Sequence, residues 1–312
     1  MKIFLEVMNL NNLIQDFNSK TILHTQLNRA VQAIDNTHSM SGIMGTGMLL
    51  LGDPGLGKSR ILERYTKTYL DKQSDLRTKT LTKKPILSIR VPARPTPKAI
   101  LEKLLISADH PLPNSTTQSK LELKLAAVIK NQKVSLIIFD EFQHMLREQA
   151  QQNTRAVLNF IKVLMDEHKL AVVMSGTPEA LNSIRGHEEL YQRFTHEHIR
   201  INPFSIDTPE EVSKFTSYLE ACEKILDSIG IKTMPMTSES NLARIYLSTL
   251  GKPRLINRLI VKAIQCAPER GNLNIMDFSL ANTNPPLNPT LGAFNPFLAK
   301  PEAIAKRIKE LN

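Results

Sequence analysis

Between Met48 and Arg60 an apolar run empties into a glycine-rich segment, MLLLGDPGLGKSR, and no other stretch limits so sharply what this chain can fold into. The spacing Gly52-x4-Gly57-Lys58-Ser59 fits a P-loop, which needs a buried strand before it and a helix after it. Gly52, Gly55 and Gly57 would let the backbone take dihedrals that a β-carbon forbids, turning successive N–H groups toward phosphate oxygens. Lys58 would reach the β- and γ-phosphates and Ser59 would ligate Mg²⁺, while the helix starting there aims its positive end at the anion. The nucleotide cradle therefore comprises Gly52, Asp53, Pro54, Gly55, Leu56, Gly57, Lys58, Ser59 and Arg60. A plain glycine turn is the competing reading. Met48–Leu51 as a buried strand and a helical pattern from Ile61 favour the cradle, with ATP and Mg²⁺ as ligands.

At 312 residues and 41% apolar content the chain can bury a real core, as one large domain or two modest ones. No apolar run approaches the roughly 18 residues of a membrane span. The N-terminus carries Glu6 early and shows no small-residue cleavage site, so a soluble, cytoplasmic protein without membrane partners is expected. Cys222 and Cys266 are too few for a disulfide framework and read as reduced thiols. The net charge of +10 is concentrated: Lys58 to Lys103 holds thirteen Lys or Arg against four Asp or Glu. Such a run is ordinarily a solvated face; beside a nucleotide site it also suggests a polyanion partner.

Residues 1–45 read as an N-terminal helical arm, with Leu23, Leu27, Val31 and Ile34 on one stripe. Asp71 to Lys84 is polar, basic and without period. Pro85–Val91 alternates as a strand should, and Thr96-Pro97 supplies an N-cap and an N1 proline for the next helix. A turn-rich loop, Asp109–Ser119, leads to an amphipathic helix at Leu121–Ile129.

Val134–Glu141, VSLIIFDE, is an apolar strand ending in two carboxylates. Asp140 would hold Mg²⁺ through water and Glu141 would orient the attacking water, the second half of a hydrolytic site. After a helix at Thr154–His168, the strand Ala171–Met174 empties into Ser175-Gly176-Thr177-Pro178. A hydroxyl there could meet the γ-phosphate or the lytic water, Thr177 first and Ser175 next; an N-cap before Pro178-Glu179 is the bland alternative. Arg193 stands before the last strand. This alternation predicts an α/β core over 46–205, a parallel sheet sandwiched by helices. From Thr208, where a capping box meets an N1 proline, only helices follow, giving a small helical lid over 206–278. The tail, 279–312, holds Asn-Pro and Pro-Pro turns around LGAFNPFLAK and is expected to be flexible.

The order of parts resembles the AAA+ ATPases: P-loop, strand ending DE, strand ending SGTP, arginine near the last strand, then a lid with Gly251-Lys252-Pro253-Arg254. IIFDEFQHM at Ile137–Met145, VVMSGTPEAL at Val172–Leu181 and LYQRF at Leu190–Phe194 resemble, more narrowly, the TniB/TnsC regulators of large transposons. The resemblance covers roughly residues 20 to 275. It implies homo-oligomers, hexameric or heptameric rings or helical filaments, assembled on double-stranded DNA with ATP between neighbours. On that pattern Arg193, with Arg185 a nearby competitor, matches the arginine finger offered to the next subunit, a role worth on the order of 10³ to 10⁵ in rate in related NTPases. Arg254 matches the lid arginine called sensor 2. Family DNA contacts fall between the second strand and the DE strand, where this chain offers Arg94, Lys98, Lys103, Thr116, Thr117 and Lys120. Phosphate contacts of that kind would be salt-dependent and nearly blind to sequence. With aromatics at 5% and no Trp, no stacking platform for single strands is visible.

The expected function is an ATP-dependent regulator that assembles on target DNA, recruits a transposase and responds to target-selector proteins, with hydrolysis dissolving the assembly. The FNPF segment, Phe294–Phe297, is the candidate transposase-binding peptide. The alternative is a DNA-remodelling motor or a helicase or clamp loader. A small-molecule kinase, using Asp140 or Glu141 as base, fits the lid and the lack of an acceptor site poorly.

Overall fold

The computed structural model describes residues 2–20, 22, 24–73, 77–78, 81–112, 116–146, 151–194, 197–267, 271–283 and 285–311. Leu23 and parts of the expected 71–84 and 109–119 connections lie outside these residues. In chain order, α1 (Lys2–Ser19) and α2 (Thr25–Ser39) precede β1 (Thr46–Leu51), which passes through the glycine loop into α3 (Lys58–Lys72). An antiparallel pair of two-residue strands, β2 (Arg77–Thr78) and β3 (Leu81–Thr82), interrupts what the sequence presents as a patternless connection. Then come β4 (Ile86–Arg90), α4 (Pro97–Ser107), α5 (Gln118–Gln132), β5 (Leu136–Asp140), α6 (Gln151–His168), β6 (Ala171–Gly176), α7 (Ala180–Arg185), α8 (Glu188–Tyr191) and β7 (Glu197–Arg200). The remainder is α9 (Pro209–Ser228), β8 (Lys232–Thr233), α10 (Glu239–Thr249), α11 (Pro253–Cys266), β9 (Asn272–Leu273), α12 (Ile275–Ala281) and α13 (Pro301–Leu311).

Two compact units result, one of 26–54 with 58–202, the other of 1–25, 55–57 and 203–312. In the first, five parallel strands lie in the order β4-β5-β6-β1-β7. β1 and β6 are buried along their whole length, as strands covered on both faces must be, which is why they read as continuous apolar runs. Helix α3 turns Ile61, Leu62 and Tyr65 inward at i, i+1 and i+4. One large core runs through the unit, from Leu49 and Leu51 of β1 through α4, α5 and α6 to Phe194. At the base of the sheet a polar relay ties α2 and α3 to β5. The His38 ring nitrogens meet the Tyr65 hydroxyl at 2.8 Å and Ser135 Oγ at 2.7 Å, and Tyr65 donates to Asp35 at 3.2 Å.

The second unit has its own core, in which Phe215, Leu219 and Leu226 of α9 meet Ile256, Leu259 and Ile260 of α11. Thr208 caps α9 by accepting from Glu211 N at 3.3 Å, with proline next in line. This unit is not helical throughout: β8 and β9 form a two-residue parallel pair. The expected arm divides, α1 joining this unit through Phe17 and α2 joining the α/β unit. The expectation of a flexible tail is corrected as well. Leu287 and Phe297 belong to this core, and Leu291 and Ile304 are buried too. Arg244 donates to the carbonyls of Pro296 and of Ala299, the latter at 3.1 Å. The FNPF segment is fastened down accordingly: Asn295 donates to Ser279 O at 3.1 Å, Phe297 lies 5.7 Å from the Phe278 ring, and Arg307 sits over Phe294. A free docking peptide is not what these residues form.

Candidate nucleotide site

Within the α/β unit the strand order brings the C-terminal ends of β5, β6 and β1 side by side, the place where open parallel sheets hold their ligands. β1 ends at Leu51, and Gly52 N–H continues the ladder by donating to Gly176 O at 3.1 Å. That corrects one sequence expectation: Gly52 does not need left-handed backbone, whereas Gly55 and Gly57 do, at φ +88° and +89°. A β-carbon on Gly57 would meet nothing within 4 Å, so the space at that turn is open. Lys58, buried, folds its ammonium back onto the carbonyls of Gly52 at 2.6 Å and Asp53 at 3.0 Å. Asp53, Pro54 and Arg60 are exposed and Leu56 is buried.

Ser59 donates from Oγ to Asp140 Oδ2 at 2.6 Å, and Asp140 Oδ1 accepts the N–H of Glu141 at 2.9 Å. Residues 81 positions apart in sequence thus share one hydrogen bond, because β5 delivers Asp140 beside the first turn of α3. The donor set suits Mg²⁺, a hard ion that takes few protein oxygens and keeps several waters. No cluster of three or more His, Cys, Asp or Glu able to hold a softer metal occurs among the described residues. A cleft of about 620 Å³ opens alongside, lined by Ser59, Glu63, Lys67, Ser88, Arg90 and Asp140, within the size range of small-molecule sites.

The two hydroxyl candidates at the end of β6 differ in what surrounds them. The Thr177 hydroxyl lies beside Glu179 and helps to hold its carboxyl below the usual range, the local turn role. Ser175 is fully buried and its Oγ has no partner among the described residues, which leaves that hydroxyl the one with bonding capacity to spare. Arg193, in the 3₁₀ turn Gln192–Phe194, is held as a fork. Its Nε and Nη2 donate to the two oxygens of Asp166 at 2.6 and 2.7 Å, and Nη1 donates to the Glu189 carbonyl. Asp166 carried no signal in the sequence, since the pair is 27 residues apart. Arg254 is exposed in the second unit, which includes Gly55–Gly57; there its N–H donates to Gly55 O at 3.1 Å.

The basic candidates sort by geometry. Gln132 donates to Ala108 O at 2.9 Å, so the C-terminal ends of α4 and α5 lie together. Ser107 bonds both the N–H and the C=O of Ser88, so α4 runs back along β4. Arg94 and Lys98 lie at the N-terminal end of α4, and Thr116, Thr117 and Lys120 at that of α5. Arg94, Lys98, Thr117 and Lys120 are exposed there; Lys103 sits further down α4. Thr117 occupies the N-cap of α5 without a side-chain cap bond, so its hydroxyl is not spent on its own helix. No described helix is long and apolar enough to cross a membrane.

With this geometry in hand, the family described as Bacterial TniB protein matches residues 14–202, more than half of the chain. No curated protein gives a significant match. Among solved structures, the ORC2 protein of Aeropyrum pernix in ADPNP-ADP complexes superposes with a TM-score of 0.62 at 14% identity, covering 82% of this chain and 66% of that one. The Cdc6p of Pyrobaculum aerophilum gives 0.61 at 16%, over 86% and 70% of the two chains. Aeropyrum pernix ORC1 in complex with DNA gives 0.57 at 15%, over 94% and 78%. This chain thus spans just under two thirds of the ORC2 chain. At such identities the likeness carries the fold, that of the AAA+ ATPases, with the parallel sheet and flanking helices described above.

Proposed function

The chain belongs to the TniB family, and from that premise we propose that it is an ATP-dependent, DNA-binding regulator of transposition. In this reading it assembles as a homo-oligomer on double-stranded target DNA, recruits the transposase, and is released by ATP hydrolysis. The observation that carries the reading is the Ser59–Asp140 hydrogen bond of 2.6 Å, with Glu141 next in chain, at the mouth of a glycine loop.

In that site Lys58 exchanges its bonds to Gly52 and Asp53 for phosphate oxygens, and the N–H groups after Gly57 take up the rest of the negative charge. Ser59 and Asp140 would hold Mg²⁺, which supplies neutralisation of the charge on the phosphate oxygens. Glu141 orients a water for attack on the γ-phosphorus, receives its proton, and the bond to the ADP oxygen breaks. Ser175 would donate to the departing phosphate. Arg193 serves the neighbouring subunit's γ-phosphate, and Arg254 serves as the lid arginine that senses the nucleotide. Arg94 and Lys98 at the start of α4, and Thr117 and Lys120 at the start of α5, would face the DNA backbone, where a helix dipole adds to the side-chain charge.

Imaging the protein on duplex DNA with ATP, ADP and a slowly hydrolysed analogue tests the whole reading. Assemblies that form with ATP and the analogue, and are lost with ADP, are expected; assemblies indifferent to nucleotide would overturn it. Sustained strand separation during steady hydrolysis would favour a motor instead.

A further inference from the structure

Glu141 stands at φ +59°, left-handed backbone that a glutamate seldom adopts, just past the end of β5. Two residues on, in the 3₁₀ turn Phe142–Leu146, Gln143 donates through Nε2 to Glu141 Oε2. The other end of the same carboxamide, Oε1, is buried and has no partner among the described residues. It lies against Gly176, where a β-carbon would come within 3.0 Å of it, 3.3 Å of Gln143 N and 3.3 Å of Ala180 Cβ. The carboxamide is therefore wedged into a slot that exists because residue 176 lacks a side chain.

The orientation of the amide follows from chemistry. Turned about, Gln143 would present its carbonyl to a carboxylate, two acceptors face to face, so the amide must point at Glu141. The unpartnered carbonyl is the cost of that choice, which a surface glutamine would not incur.

We infer that Gln143 is the positioning residue of Glu141, holding its carboxylate for the attacking water. The inference rests on the reading of Glu141 as the group that receives the water's proton. A glutamate at a strand end has three side-chain torsions to sample, and a reacting group must be held within a fraction of an ångström. One neutral N–H on one carboxylate oxygen removes that freedom and leaves the negative charge and the second oxygen for water. A lysine or arginine in its place would cancel the charge. From the other side, Asp140 Oδ1 fixes the backbone N–H of Glu141, so both ends of the residue are tied.

The test uses the full chain with ATP and duplex DNA, reading hydrolysis and nucleotide affinity separately. Gln143→Met keeps the length and removes the donor; its kcat should fall roughly 10- to 100-fold with nucleotide Kd unchanged. In a Glu141→Gln background the same substitution should remove nothing further from the residual rate. Gly176→Ala, crowding the slot from the other wall, should reproduce the loss in kcat. A Gln143→Met rate equal to or above wild type, or an equal loss in the Glu141→Gln background, overturns the inference. If Glu141→Gln is nearly inactive and Gln143→Met is normal, only the inference fails. If Glu141→Gln hydrolyses ATP like wild type, the reading of Glu141 fails and takes the inference with it.

Discussion

Gly47, the second residue of β1, lies under the ring of Phe194, and replacing it by alanine probes how the Arg193 turn is seated. A β-carbon there would stand 2.5 Å from Phe194 Cε1, 2.6 Å from Cζ and 2.8 Å from Cδ1. Carbon atoms settle near 3.5–4.0 Å, so the ring must retreat by about 1 Å. It has nowhere empty to go, being 0% exposed within the main core. Overpacking of this kind costs about 1–3 kcal/mol. Arg193 is the preceding residue, and its fork onto Asp166, at 2.6 and 2.7 Å, tolerates about 0.5 Å before the bonds lapse. That ion pair is 24% and 40% exposed, so its loss adds under about 1 kcal/mol. Gly47→Ala should therefore destabilise the α/β unit by about 1–4 kcal/mol, seen as a melting temperature lower by about 2 to 16 °C. It should also lower DNA-dependent hydrolysis while nucleotide affinity holds, because the glycine loop begins beyond the site of change. The double variant Gly47→Ala/Phe194→Leu, with a smaller side chain over the strand, should recover most of the stability. An unaltered melting temperature in the single variant, or no recovery in the double, would refute the packing argument.

Four further outcomes follow from the site and the core. Lys58→Ala should abolish nucleotide binding and DNA-dependent assembly, measured by fluorescent-nucleotide titration; an unchanged affinity would remove the argument from the loop. Glu141→Gln should retain ATP and lengthen the life of assemblies on DNA, and dissolution as fast as wild type would end the idea that hydrolysis times release. Mixtures of Arg193→Ala with Lys58→Ala subunits should recover some hydrolysis, since a mixed interface can hold one intact site; no recovery in well-assembled mixtures would count against a finger acting between copies. The last concerns pH. Burial pushes the His38 imidazole from 6.5 down to about 4, partly opposed by Asp35. Between those values the unfolded chain binds the proton and the folded chain does not, so acidification favours unfolding. The contribution of neutral His38 is complete above pH 6.5 and shrinks as pH falls toward 4, by about 3 kcal/mol at most. His24, also lowered by burial to about 4, acts in the same direction in the other unit. Melting curves across that window should show the decline, and His38→Asn should flatten part of it.

The elements that could be read from the chain are those whose reasons are local. The glycine loop, the apolar strands ending at Leu51 and Asp140, and the Thr96-Pro97 and Thr208-Pro209 helix starts each carry their cause within a few residues. What stayed hidden depends on partners far off in sequence. Asp166 is unremarkable until the fold sets it under Arg193, and Gln143 gains a role only when Gly176 arrives from the next strand. Ser175 outranks Thr177 as a free hydroxyl because burial and a neighbouring glutamate, neither visible in SGTP, divide their fates. The tail misleads for a related reason. Its Asn-Pro and Pro-Pro turns have no period, so Leu287, Leu291 and Phe297 look like scattered apolar residues. They are instead anchored one at a time, through Arg244, Asn288 and Asn295, which bond backbone carbonyls of other segments.

Because Phe17 of α1 and Phe297 of the tail belong to one core, the second unit is assembled from both ends of the chain. Synthesis at about 5–20 residues per second leaves the first helix waiting tens of seconds for the last segment. The α/β unit, complete once residue 202 is made, has its own strands in hand well before then. Until α9 and α11 are made, Phe17 of α1 lacks the core it joins, a natural handle for a chaperone. Ribosome-bound chains halted near residue 280 should therefore present a folded nucleotide unit and an unfinished partner. The unit carrying Arg254 thus closes after the α/β unit.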